Sequence, residues 1–83
     1  MKLVYFASVR EAIGLSHEER EVPNDLRTVG DLVAWLAGQS EEYASALNDR
    51  SRLRFALDQN LVAADALLGG GQELAIFPPV TGG

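Results

Sequence analysis

The sequence predicts an α+β domain in which one principal helix covers one face of a sheet of about four or five strands. Three observations carry that prediction. Val29, Leu32, Val33 and Leu36 recur at i, i+3, i+4 and i+7, the period of a helix with one buried stripe. Short β-branched, aromatic or alternating segments lie on both sides of that helix, as strands require. The chain has 83 residues, room for one domain with a modest core. It has no cysteine, so no disulfide supplements that core.

The elements follow in order. Residues 2–7 (Lys-Leu-Val-Tyr-Phe-Ala) read as a strand. With Lys2 facing water, Val4 and Phe6 share its face, and Leu3 and Tyr5 face the core. Residues 9–13 suit one helical turn that Gly14 stops. Residues 17–22 are an edge-strand candidate protected by its own charges, with Glu18, Glu19 and Glu21 as a solvated run. Pro23-Asn24-Asp25 breaks the chain.

Thr28 is a good helix N-cap with Asp31 three residues on, and the helix it opens ends near Gly38, with Trp35 at the margin of the stripe. Residues 40–48 suit a further turn or two capped by Ser40. In residues 52–57, Leu53, Phe55 and Leu57 face one side and Arg52 and Arg54 the other, a half-buried strand. Asp58-Gln59-Asn60 is turn chemistry, and a short strand at Leu61-Val62 follows. Gly69-Gly70-Gly71 reads as a loop before the last strand, 73–77, since the Lys-Ser/Thr of a phosphate-binding loop is missing.

Net charge is −5 and the sequence pI is about 4.6. This excludes the basic footprint of a nucleic-acid binder and disfavours an anionic membrane surface. The apolar run after Met1 is too short for a signal peptide and no stretch approaches a membrane span, so a cytoplasmic protein is expected. His17 is the sole histidine, so neither a zinc site nor a hydrolase triad is indicated.

The chemistry falls on the end of the chain. The sequence divides into a domain, 1–77, and a tail, 78–83, reading Pro-Pro-Val-Thr-Gly-Gly. Two prolines stop the last strand and keep the chain extended. Six extended residues reach at most about 20 Å, and the Gly82-Gly83 pair can thread a narrow channel. The reactive group is the Gly83 carboxylate, which becomes an electrophile only after activation, for instance as a mixed anhydride with AMP. A sulfur donor then makes a thiocarboxylate, and an amine makes an amide. At the root of the tail, Phe6 and Phe77, joined by Val4, Leu61 and Ala75, form a candidate docking patch rimmed by Arg10, Arg52 and Arg54.

The terminal Phe-Pro-Pro-Val-Thr-Gly-Gly, the Glu-Leu-Ala-Ile before it, the opening Tyr-Phe-Ala-Ser-Val-Arg-Glu and Asp58-Gln59-Asn60-Leu61-Val62 resemble the family of molybdopterin synthase small subunits. The resemblance implies a ubiquitin-like β-grasp fold. It further implies that a ubiquitin-activating-type enzyme adenylates Gly83 with ATP and that a sulfur donor converts the adenylate to a thiocarboxylate. The tail then enters the synthase large subunit and passes sulfur to cyclic pyranopterin monophosphate, in an assembly of two copies of each subunit. Gly83 would carry sulfur and Gly82 would allow passage. Phe6, Leu61 and Phe77 match docking positions of the family, and Pro78, Pro79, Val80 and Thr81 would line the partner's channel. No cofactor or metal is implied for the chain itself. The Gly69–Gly71 run departs from a more acidic turn common in the family. Carriers for thiamine or tRNA thiolation, and a ubiquitin-like modifier joined to lysines, are the rival readings.

Overall fold

The computed structural model describes residues 1–79. Five strands form one mixed sheet: β1 (Lys2–Tyr5), β2 (His17–Glu19), β3 (Arg54–Leu57), β4 (Asn60–Val62) and β5 (Glu73–Phe77), in the order β2-β1-β5-β3-β4. The N- and C-terminal strands β1 and β5 run parallel at the centre, while β2 and β4 form the edges through antiparallel pairs. Three helices connect them: α1 (Ala7–Ile13), α2 (Val29–Ala37) and α3 (Glu41–Leu47), with a short 3₁₀ turn at Arg50–Arg52.

The principal helix forms for the reasons its sequence suggests. Thr28 Oγ1 accepts from the Asp31 amide at 3.0 Å, and Asp31 Oδ2 accepts from the Thr28 amide at 3.1 Å, a reciprocal capping box. Those backbone hydrogen bonds, from Thr28 and then Arg27, hold the Asp31 carboxyl below the usual carboxylate range. Val29, Leu32, Val33 and Leu36 are fully buried against Leu3, Tyr5, Leu74 and Ile76 of the two central strands. Burying a side chain of this size stabilises by roughly 1.5–3 kcal/mol. Val9 of α1 and Tyr43 and Leu47 of α3 complete the same core, so all three helices lie on one face of the sheet.

The structure corrects the sequence reading at several points. The first strand ends at Tyr5, not at residue 7, because Ala7 takes a left-handed φ of 51° and turns the chain into α1. The segments expected at 9–13 and 40–48 fold as the seven-residue helices α1 (Ala7–Ile13) and α3 (Glu41–Leu47), so the principal helix has two smaller companions. Arg52 belongs to the 3₁₀ turn, where the Leu53 amide bonds back to the Arg50 carbonyl, and the strand begins two residues later.

The Glu18 carboxylate is not solvated. It points inward opposite Leu3, where Tyr5 and Tyr43 hydroxyls donate to its Oε2 at 2.6 and 2.5 Å and Arg20 Nε donates to its Oε1 at 3.1 Å. The Arg20 guanidinium also donates to the Tyr43 hydroxyl and lies over the Tyr43 and Trp35 rings, 5.0 and 6.0 Å from their centroids. Burial alone would raise the Glu18 pKa, but the hydroxyl and guanidinium donors together outweigh it and hold the carboxyl below its ordinary value. Burial, reinforced by the Glu18 charge, pushes the Tyr5 and Tyr43 hydroxyls up.

The β3–β4 hairpin closes through Asp58 and Gln59, both with positive φ (48° and 71°), the mirror-image turn that suits the sheet's twist. Asp58 Oδ1 then accepts from the Gln72 and Glu73 amides at 2.9 and 3.0 Å, tying this turn to the start of β5. The glycine run is a loop as expected, with Gly69 at φ 54°. Gly71 is required for space, because an added Cβ would stand 2.7 Å from Leu57 Cδ1 and 3.0 Å from the Leu68 carbonyl.

Candidate docking face and tail root

The helices occupy one face of the sheet, and the pairing registers define what the other presents. Val4 lies beside Ala75, Ala75 beside Ala56, and Ala56 beside Leu61, a row that crosses four strands. Side chains along each strand alternate between faces, so the burial of Leu3, Tyr5, Leu74 and Ile76 places this row on the opposite side. In the adjoining row Phe77 lies beside Arg54. Phe6 meets Phe77 edge to face, with centroids 6.3 Å apart and an 84° interplanar angle. Leu61 is 77% exposed and Phe6 49% exposed, so both present apolar surface to solvent.

Two local features fix this corner. The Phe6 amide donates to the Ile76 carbonyl at 3.2 Å, extending the β1–β5 pairing by one bond. Ala7 then reverses the chain at positive φ, a conformation that costs an L-residue roughly 1–2 kcal/mol. Backbone strain held in place by neighbouring structure is frequent beside functional surfaces.

The tail leaves from the same corner. β5 ends at Phe77, and Pro78 and Pro79 are half-buried along a groove of about 430 Å³ formed with Ser8, Val9 and Ala12 of α1, Ala46 of α3, and Arg52. Of the sequence-predicted residues, Phe6, Phe77, Pro78 and Pro79 therefore come together, and Leu61 lies across the same sheet face. Val80, Thr81, Gly82 and Gly83 fall outside the described residues. Arg54 flanks the patch and Arg52 the prolines, whereas Arg10 is simply exposed on α1.

The remaining polar features offer no alternative centre. His17 is exposed, with Ser16 Oγ 3.0 Å from its Nδ1. Among the described residues no group of three or more His, Cys, Asp or Glu could hold a metal, and no helix is long and apolar enough to cross a membrane. Sequence reasoning missed the Glu18 cluster. A usable signal existed: Tyr5 faces inward with a polar tip that needs a partner, and strand parity aims Glu18 inward on the neighbouring strand.

The sequence pattern of the ThiS family matches residues 3–83. The chain belongs to the ThiS family. It is 45% identical to the molybdopterin synthase sulfur carrier subunit of Escherichia coli K12, over all of this chain and 99% of that protein. The subunit of the same name from Haemophilus influenzae is 34% identical, again over all of this chain and 99% of the other. Among solved structures, SAMP1 from Haloferax volcanii superposes with a TM-score of 0.72 at 29% identity, covering all of this chain and 98% of the other. A putative molybdopterin converting factor subunit 1 from Pyrococcus furiosus gives 0.64 at 27% identity, covering 95% of each chain. The α+β fold is the ubiquitin-like β-grasp, in agreement with the strand and helix order of the sequence.

Proposed function

We propose that this chain is the sulfur carrier subunit of a molybdopterin synthase, with the Gly83 carboxylate as its working group. The observation that carries the reading is the 45% identity, end to end, with a subunit of that name. The exposed Phe6–Phe77 corner beside the tail root supports it, because a carrier must dock its domain while its tail reaches elsewhere.

In this reading the carboxylate attacks the α-phosphate of ATP on a ubiquitin-activating-type enzyme, and pyrophosphate leaves. A sulfur nucleophile then displaces AMP from the acyl carbon and leaves a thiocarboxylate. The domain docks on the synthase large subunit through Phe6, Leu61 and Phe77. Pro78, Pro79, Val80 and Thr81 follow the channel to the active site, and Gly82 passes its narrowest part. There sulfur is donated to cyclic pyranopterin monophosphate, and hydrolysis returns the Gly83 carboxylate. Each pterin takes two sulfurs, hence two carriers in turn and an assembly with two copies of each subunit. ATP is bound by the activating enzyme. This chain supplies the acyl group and the docking face and contributes no side chain to the chemistry.

Deletion of Gly83 tests the reading. In a reconstituted synthase the shortened chain should still bind the large subunit and should yield no dithiolene product. Product formation at the full-length rate would overturn it. A second reading, a protein modifier, is favoured by the likeness to a small archaeal modifier protein from Haloferax volcanii, TM-score 0.72 at 28% identity. Gly-Gly remnants on lysines of other proteins, traced to this chain, would establish that reading instead.

A further inference from the structure

The two edges of the sheet are finished differently. An uncovered edge strand invites pairing with other chains, and charged side chains are a usual guard against it. β2 carries His17, Glu18 and Glu19, whereas β4 reads Asn60-Leu61-Val62 and runs on into Ala63 and Ala64 without a charge. Beside β4 lies an open cleft of about 500 Å³, with Leu53, Leu61, Val62 and Ala63 in its walls together with Arg50 and Arg54. Leu61 therefore belongs both to this cleft and to the open sheet face.

The two guanidiniums are held by backbone carbonyls and not by acids. Arg50 Nη1 donates to the Gly30 carbonyl at 3.2 Å, and Arg54 Nη1 donates to the Leu53 and Ser51 carbonyls at 2.8 and 3.3 Å. The ion pairs among the described residues are made by the Met1 amine, Lys2 and Arg20, so neither Arg50 nor Arg54 has a carboxylate partner there. Acids are not scarce: Asp and Glu outnumber Lys and Arg by twelve to seven. Asp49, next to Arg50 in the chain, accepts from Ser51 Oγ at 2.6 Å instead. A guanidinium has more N–H donors than these bonds use, and its planar fork matches a carboxylate in two parallel hydrogen bonds.

Resting on the carrier reading above, we infer that the docking face continues around the β4 edge into this cleft. Its occupant is a segment of the synthase large subunit that presents an apolar side chain beside a carboxylate. The apolar side chain seats against Leu53, Leu61 and Val62, and the carboxylate accepts from Arg54, with the Arg50 charge adding to the attraction. Charge complementarity names this occupant over a second copy of the chain, which carries a net charge of −5 and is repelled by its like. The apolar surface supplies adhesion, and the arginines fix which surface is accepted and in which orientation.

The test titrates the full chain into the large subunit from the same organism by calorimetry, at about 50 and about 300 mM salt. Each variant is checked for its fold by circular dichroism. R54Q is expected to bind at least about tenfold more weakly than wild type at low salt and to show a smaller salt dependence. Q39E makes the same change in net charge at an exposed position just beyond α2, and is expected to stay within about twofold of wild type. R54K gives the direct readout, because a carbodiimide joins an amine to a carboxylate in contact with it. In the R54K complex a cross-link from position 54 to an Asp or Glu of the large subunit is expected, and none from that position in wild type. R54Q binding no more weakly than Q39E, or a folded R54K complex without that cross-link, would overturn the inference and leave the carrier reading standing. A cross-link from position 54 to a second copy of the chain would overturn it as well. Wild type that does not bind the large subunit at all would overturn the carrier reading itself, and that failure is seen before any variant is compared.

Discussion

Removing the Glu18 carboxylate is the perturbation with the largest expected effect on stability. Its side chain is 16% exposed and accepts from two tyrosine hydroxyls and one guanidinium. Hydrogen bonds to charged groups are worth about 1.5–3 kcal/mol each, and a buried donor left without a partner costs about 1–3 kcal/mol. Tyr5 is 1% exposed, so water cannot readily replace the lost acceptor there, whereas Arg20 at 28% can rehydrate in part. Glu18→Ala should therefore cost about 3 kcal/mol, a fall in Tm of about 12–24 °C for a domain this size. Glu18→Gln keeps one carbonyl acceptor and should cost about half as much.

The pH dependence follows from the sign of each shift. The Glu18 pKa is lower in the folded state, so its contribution is complete above the unfolded value near 4.3 and is lost as pH falls through the folded value. The gap between wild type and Glu18→Gln should be constant from pH 6 to 8 and narrow below about pH 4. The Tyr5 and Tyr43 pKa values are higher in the folded state, so stability should also fall as pH rises above about 10. Urea unfolding followed by Trp35 fluorescence measures all of this. A cost below about 1 kcal/mol for Glu18→Ala, or a gap that does not narrow in acid, would refute the reasoning.

Three further outcomes are expected. Leu61→Ala and Phe6→Ala should leave stability within about 1 kcal/mol of wild type, because Leu61 is largely exposed and Phe6 half-exposed, and should weaken binding to the synthase large subunit in calorimetric titration. Gly71→Ala should destabilise by about 1–3 kcal/mol through its clash with Leu57 and the Leu68 carbonyl, while Gly70→Ala, in open space, should be near neutral in the same denaturant assay. Gln59→Gly should raise stability by about 1 kcal/mol, since a positive φ of 71° strains glutamine and not glycine.

The parts of this fold that could be read in advance are those whose determinants are local. The α2 capping box and stripe lie within nine consecutive residues, and the parity of β1 and β5 follows from alternation alone. α1 and α3, at seven residues each, are too short for periodicity to set their limits, and their length comes from packing against the core. Ala7 gives no warning of its left-handed φ, because alanine is otherwise an ideal helix residue. Arg52 continues the alternation of β3 on paper, but the 3₁₀ turn that follows α3 claims it. Gly71 and Gly69 look alike in the sequence and serve different ends, one making room for Leu57 and the other supplying a turn. Strand parity alone places Phe6 and Phe77 on one sheet face, and their rings meet there edge to face. The end of β5 was legible because Pro78 and Pro79 have no amide donor to continue the ladder.

The central claim, that Gly83 carries sulfur, is tested most directly by alkylation. The protein is isolated from cells that make its activating enzyme and sulfur donor, treated with a thiol-reactive reagent, and analysed by intact mass and fragmentation. With no cysteine in the chain, a label on Gly83 reports a thiocarboxylate. The account predicts that label, and predicts its loss when Gly83 is deleted. An unlabelled C-terminus in the presence of both partners would contradict it.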